Sequence, residues 1–348
     1  MSLCLPCFRS IAGGFTHAQV FVSASPPPHG GDRGGRHRDA GRHRGGCGLL
    51  GGSEPTRGPD GRDPVVVAEM PLLDVAPLHL GIERGIFADA GASVSSTTAS
   101  SGQAAIAKLA SKEVAIAYAS DVAAVLAATR GVGDLAIIAE ASSAAPKTIE
   151  LVVPKNGSVK TVNDLPGKRI AINASKGLSD TLVMAALNVR NVAYQDIRWV
   201  EMPFPNMAGA LRRGDVDAAS TVEPFVTEAA KDGDEELLDL ASGDTRNLPV
   251  ACYLTTKTWA RSHPSDVAAF RNGLRRAADL ANSDRATVEK SVARYAQIKE
   301  GDAKLVTFPY FRADVAPVPL QRVPDLLARY GVIGSRFDIN SLLLPAKP

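Results

Sequence analysis

The residues best equipped for chemistry are thinly spread along this chain. Cys4 and Cys7 stand in a C-x-x-C spacing suited to zinc or thiol redox work, but no second pair follows, and beyond Cys47 the only cysteine is Cys252. His17, His29, His37 and His43 fall in the opening stretch, which leaves His79 and His263 far apart in the rest. That distribution argues against a histidine-based metal centre. There is no Gly-x-Ser-x-Gly elbow, no phosphate-binding Gly-Lys-Ser/Thr loop and no His-Glu-x-x-His motif. No metal, cofactor or catalytic residue is expected. What the chain does offer is small polar residues at three helix starts: Ser100-Ser101-Gly102-Gln103, Ser120-Asp121, and the run from Ser175 through Gly177, Leu178 and Ser179 to Thr181. The first N–H groups of a helix lack intrahelical partners and carry a partial positive charge, so such starts can hold a carboxylate, sulfonate, phosphate or polar heterocycle. Ordinary capping, worth about 1 kcal/mol each, explains the same residues.

The charge balance excludes a second class of function. The formal net charge is +2, but residues 1–62 carry eight Arg against four acidic residues, leaving 31 basic and 33 acidic residues, a net of −2, in the remainder. A nucleic-acid footprint is therefore absent from the body. From Pro26 to Arg62 the chain is a run of Gly, Arg, Pro, His and Asp with no hydrophobic period. Such a stretch buries too little apolar surface to offset the entropy of ordering and is expected to be disordered, and residues 1–62 as a whole are expected to be a leader dispensable for folding and binding. Residues 1–25 offer only broken apolar pieces such as Ile11–Val22 in place of the apolar run of an export signal, and Gly46-Cys47-Gly48 follows Arg44 where a lipoprotein signal would have an apolar residue. A wrong start or frameshift in the gene model, hiding a signal or lipobox, accounts for this; a cytoplasmic protein with a loose tail is the alternative.

After Pro64 the pattern changes to short apolar runs alternating with amphipathic stretches. Val65–Ala68, Val114–Tyr118, Leu135–Ala139, Ile149–Val153, Arg169–Ile172, Val216–Ser220 and Val250–Thr255 are predicted strands, several apolar at consecutive positions as in sheets covered on both faces. Helical faces run through Leu178, Leu182, Ala185, Ala186 and Val189, through Val267, Phe270, Leu274, Ala277 and Ala281, and through Leu320, Val323, Leu327 and Tyr330 before Gly331. The alternation predicts an α/β fold. Lys108–Ala117 and Ala210–Ala219 echo one another as helix end, turn and buried strand, which points to two similar units or to one sheet holding both.

Three segments carry a resemblance to the nitrate, alkanesulfonate and taurine type of solute-binding protein, a group that includes binders of thiamine-precursor pyrimidines. They are Pro77–Gly91 with its Gly85-Ile86-Phe87 turn, Leu211-Arg-Arg-Gly-Asp-Val-Asp-Ala218 followed by Glu223-Pro224-Phe225, and Trp259 with the amphipathic stretch Pro264–Ala281. The likeness spans about Val65 to Leu344. In the first half the family's Gly and Asp are replaced by Lys112 and Ala115.

The resemblance implies a two-lobed periplasmic-binding-protein type II clamshell, each lobe a mostly parallel sheet flanked by helices. Residues 63–150 plus 251–348 would form lobe 1 and 151–250 lobe 2, with closure about strands near Thr148–Val153 and Pro249–Thr255. It implies a ligand between the lobes touching Ser101, Gly102, Gln103, Ser120, Asp121, Ser175, Gly177, Leu178, Ser179 and Thr181, together with Leu73, Asp74, Glu223 and Phe225. Asp74 and Glu223 tilt the expected ligand toward an amine or other donor, unless each is paired with a nearby Arg or Lys. A bulky Gly177→Val is expected to weaken binding with little change in melting. The implied protein is a monomer that binds a small sulfonate, nitrate, pyrimidine or amine-bearing organic molecule outside the cytoplasm and delivers it to an ABC permease. It has no nucleic-acid partner and performs no chemistry. A cytoplasmic pyrimidine-precursor enzyme of the same clamshell is the alternative, and a sensor domain a third.

Overall fold

The computed structural model describes residues 64–344, so the Cys4–Cys7 pair, the Cys47 segment and the expectations for the leader lie outside the described residues. Two mixed sheets organise the chain. The first holds β1 (Val65–Glu69), β2 (Val94–Thr98), β3 (Ile116–Ser120), β4 (Leu135–Ser143), β10 (Pro249–Thr256) and β11 (Tyr310–Phe311), in the order β11-β4-β10-β3-β1-β2. The second holds β5 (Ile149–Pro154), β6 (Arg169–Ile172), β7 (Arg198–Glu201), β8 (Ala218–Val222) and β9 (Asp234–Asp239), in the order β7-β6-β8-β5-β9. Helices α1 (Ala76–Glu83), α2 (Ile86–Asp89), α3 (Gly102–Ala110), α4 (Asp121–Thr129), α8 (Lys257–Ser262), α9 (Pro264–Ser283), α10 (Arg285–Tyr295), α11 (Glu300–Ala303) and α12 (Pro317–Arg329) belong to the stretches that flank the first sheet in sequence, and α5 (Leu178–Asn188), α6 (Phe204–Arg213) and α7 (Phe225–Lys231) to the second. This is the two-lobed α/β clamshell that the resemblance implied.

Each sheet is more mixed than the apolar runs suggested. β1 pairs in parallel with β2 and β3, and β6 with β7 and β8, whereas β10 and β5 run antiparallel to both of their neighbours. A run of consecutive apolar residues reports burial on both faces and is blind to strand direction. The two orders superpose term by term: β2-β1-β3-β10-β4 in one sheet corresponds to β7-β6-β8-β5-β9 in the other. The internal echo therefore marks a repeated unit. Ala115 donates to the Val66 carbonyl at 3.1 Å, as Asp217 does to that of Arg169 at 2.8 Å.

At those equivalent positions the two units differ. In the second, the Asp217 carboxylate accepts from the Arg169 backbone N–H at 2.9 Å and from its guanidinium at 3.0 and 3.1 Å; Ala115 and Val66 replace that pair in the first. The turn before each strand is left-handed in both, with Gly214 at φ 72° and Lys112 at φ 63°.

The packing gives a reason for the Gly85-Ile86-Phe87 motif. Gly85 takes φ 69°, turning α1 into α2 and aiming Phe87, 2% exposed, into the core. Its ring stacks on Phe270 of α9 with centroids 5.4 Å apart. It lies so close to Gly81 of α1 and Gly273 of α9 that a Cβ at either would collide with it. Burying such a side chain contributes about 2–3 kcal/mol.

The chain passes from the first sheet to the second through residues 144–148 and returns through 240–248. The crossings are joined: the Ala144 N–H donates to the Leu248 carbonyl at 2.9 Å, and the Arg322 side chain of α12 donates to the carbonyls of Asp244, Arg246 and Asn247. The strands that were expected to serve as hinges each lie within a single sheet.

Candidate ligand cleft

One cleft is lined from both sheets, at the ends of strands and the starts of helices. Met70 follows β1, Tyr118 and Ser120 end β3, Asn173 follows β6, and Val222 ends β8. These are the C-terminal ends of the parallel strands, where a backbone turning into a helix leaves polar groups unpaired. Leu72, Phe204, Val250 and Ala251 add an apolar wall.

Three helix N-termini meet here. α3 presents Gly102 and Gln103, while its cap Ser101 is spent locally, accepting from the Ala104 N–H at 3.1 Å. Gly102 is closely packed, since a Cβ there would lie 3.1 Å from that of Ala119. α4 is capped by Ser120, whose Oγ accepts from the Ala123 N–H at 3.1 Å and still lines the cleft. α5 presents Gly177, Leu178 and Ser179.

The start of α5 carries a feature that the sequence reading overlooked. Asp180 curls back and accepts from the N–H groups of Lys176 at 2.6 Å, Gly177 at 2.8 Å and Thr181 at 2.9 Å. Burial raises its pKa, opposed by those same hydrogen bonds. Two of the donors expected to converge on a ligand are therefore already taken, and the N–H groups of Leu178 and Ser179, first in the helix, remain. A Cβ at Gly177 would stand 2.7 Å from the Ala174 carbonyl oxygen. Gly177→Val would thus strain the loop itself and lower stability, contrary to the expectation of unchanged melting.

The remaining expected residues divide. Asp74 lines the cleft, but it accepts from the Ser142 and Tyr118 hydroxyls, and burial pushes its pKa up. Leu73 and Asp121 are buried beside the cleft rather than in its lining, and Ser175 is exposed. Thr181 donates to the Gly177 carbonyl at 2.6 Å. Glu223 lies outside the lining and accepts from Thr227 N and Oγ1, at 3.1 and 2.9 Å, and from Thr307 N at 2.9 Å. Burial raises its pKa as well. The partners of Asp74 and Glu223 are hydroxyl and N–H groups in place of the anticipated Arg or Lys. Phe225 sits behind the wall, stacked on Phe204 with centroids 6.0 Å apart.

Among the described residues, the amides of Gln103 and Asn173 make no hydrogen bond, and they reach the cleft from opposite sheets. Asp74 is the only ionisable carboxylate in the lining, which holds no Arg, Lys, His or Cys. The site can offer neutral donors, helix dipoles and an apolar wall.

Comparison with known proteins agrees with this fold. A protein of Escherichia coli (strain K12) described as aliphatic sulfonates-binding is 24% identical over 205 residues, 56% of this chain and 62% of that protein, so the match spans less than two thirds of the relative. The structure resembles that of the alkanesulfonate-binding protein SsuA from Xanthomonas axonopodis pv. citri bound to MOPS, with TM-score 0.70 and 19% identity over 81% of this chain and 98% of that one. It also resembles the periplasmic nitrate-binding protein NrtA from Synechocystis PCC 6803, with TM-score 0.68 and 13% identity over 80% and 84% of the two chains. The family model for the NMT1-like family matches residues 59–296, and the chain belongs to that family.

Proposed function

We propose that this protein is the extracytoplasmic solute-binding component of an ABC importer, and that it captures a small organic molecule with one compact polar or anionic head and an apolar remainder. The observation that carries this reading is the meeting of three helix N-termini and two uncommitted amides, from two different sheets, on one cleft with an apolar wall. Helix starts hold an anionic or strongly polar head without a cationic side chain. The amide of Gln103 on one side and that of Asn173 on the other would both reach the head only when the two halves come together. The wall of Leu72, Phe204 and Val250 would take the remainder.

The engagement of Asp74 by Ser142 and Tyr118, and of Glu223 by Thr227 and Thr307, removes the reason for favouring an amine. The relatives named for sulfonates and nitrate point the same way.

A thermal-shift screen of alkanesulfonates, nitrate, pyrimidines and aromatic acids tests this, because a ligand that binds only the folded state raises the melting temperature by an amount that grows with the logarithm of its concentration once it exceeds Kd. The reading expects a hit that is recovered chemically unchanged, and about tenfold weaker binding on Gln103→Ala or Asn173→Ala. Affinity unaltered by both substitutions would place the ligand elsewhere, and turnover of the hit would make the protein an enzyme.

A further inference from the structure

A second cavity, of about 690 Å³, opens at the edge of the first sheet, between α9, β4, the segment after β11 and the start of α12. A buried group without a hydrogen-bond partner stands in its lining. Glu140 of β4 is 4% exposed and lines the cavity, yet its Oε1 accepts no hydrogen bond. Buried carboxylate oxygens are rarely left so, because the desolvated group goes uncompensated.

The other charged groups of the cavity are largely committed. Arg275 binds Asp314 at 2.8 and 3.0 Å, and Arg322 is spent on the carbonyls of the second crossing. Arg312 lies beside Glu140 and turns its Nε to the Ser143 hydroxyl at 3.3 Å. Among the described residues, the Asp279 carboxylate on α9 makes no hydrogen bond or ion pair. Arg275 and Asp314 offset each other, and Arg312 and Arg322 balance Asp279 and an ionised Glu140, so the case for a cation rests on Glu140, the buried member whose Oε1 has no partner. Phe311 and Leu320 offer the hydrocarbon of such a cation an apolar surface.

We infer that this cavity is a second ligand site, separate from the cleft, which takes a small alkylammonium compound with its charged head against Glu140 and its chain on Phe311 and Leu320. Burial first, and the charge of Asp121 second, hold the Glu140 carboxyl well above its ordinary range, while Arg312 opposes them. An ammonium favours the ionised carboxylate, so binding there is expected to release a proton and to strengthen as pH rises. The groups that face Glu140 are Asp121 on α4, Cys252 on β10 and Arg312 after β11, with Arg275 and Asp279 of α9 and Arg322 of α12 around the cavity.

The test is calorimetry on the full chain with 1,4-diaminobutane as the probe, in buffers of different ionisation heat at about pH 8. Binding with release of a proton is expected, weakened about tenfold by Glu140→Gln. That change removes a buried ionisable group and keeps the shape of the side chain. Asp279→Lys, on the exposed face of α9, should weaken binding at least as much through repulsion and serves as the second variant should the first fail to fold. Gln103→Ala should leave the probe's affinity unchanged, which separates failure of this site from failure of the cleft. Absence of binding at about 10 mM probe, binding that survives both substitutions, or binding abolished by Gln103→Ala would each overturn the inference.

Discussion

Asp121 opens α4 one residue past the cleft-lining Ser120, at a place where a negative charge would ordinarily be favoured. Yet it is 1% exposed, neither carboxylate oxygen has a hydrogen bond of ordinary geometry, and the group beside it is the weakly donating thiol of Cys252. Desolvation prevails over the helix dipole and raises its pKa from 3.8 to about 7. A raised carboxylate contributes stability in full below its unfolded pKa, and that contribution is lost as pH rises to and through the folded value. Asp217, Asp164 and Asp284, lowered by hydrogen bonds, act in the opposite direction, so a difference measurement is needed. Asp121→Asn mimics the neutral form. It should match the wild type near pH 4 and exceed it by up to about 4 kcal/mol near pH 8, in urea titrations at both values. Parallel pH profiles for the two proteins would refute this account of Asp121.

Lys112 and Gly214 occupy equivalent left-handed turns, and the element scale shows what that asymmetry costs. A residue with a Cβ resists positive φ by about 1–2 kcal/mol, whereas glycine adopts it freely but loses more entropy on folding. The net expectation is that Lys112→Gly stabilises by about 0.5 kcal/mol and Gly214→Ala destabilises by about 1 kcal/mol, read from shifts in urea midpoint. The same comparison shows why some elements were legible and others were not. β1, β3, β4, β5, β6, β8 and β10 announce themselves as runs of Val, Ile, Leu and Ala. β2 with Val94-Ser-Ser-Thr-Thr98, β7 with Arg198-Trp-Val-Glu201, β9 with Asp234-Glu-Glu-Leu-Leu-Asp239 and the two-residue β11 do not. All four are sheet edges. An edge strand needs little apolar surface and gains from polar residues that discourage pairing with other chains, so its sequence resembles a loop. Within the cleft, capping chemistry located the right helix starts but could not say which neighbour faces inward. Gly102, Gln103 and Ser120 line it, while Ser101 and Asp121 do not. Asn173 and Met70 were missed, although both follow a parallel strand directly, the one signal that could have found them.

On the scale of the molecule, the short connections 144–148 and 240–248 are the natural places for the two sheets to swing, as hinges commonly lie at the ends of elements. Further ties span the two halves: Lys231 of α7 pairs with Asp302 of α11 at 2.6 Å, and Glu223 holds Thr307. If the ligand closes the cleft, small-angle scattering should give a smaller radius of gyration with saturating hit from the screen. Asp302→Ala should enlarge the unliganded radius and so widen the change. An unaltered radius, with binding confirmed by calorimetry, would mean a rigid pocket.

The hydrogen bond between Ala144 and Leu248 sets the outgoing and returning chain side by side, so the second sheet is attached to the first like a cassette whose two leads leave from one point. All five of its strands come from one uninterrupted stretch, whereas the first sheet is completed only by the chain on either side of that stretch. Cutting out residues 145–247 would leave two ends within reach of a linker of one or two residues. Nature, or an engineer, could therefore exchange one jaw of the molecule by a single insertion while the other jaw stays as it is. The resealed remainder should melt cooperatively by circular dichroism; a broad, non-cooperative transition would show that each jaw needs the other in order to fold.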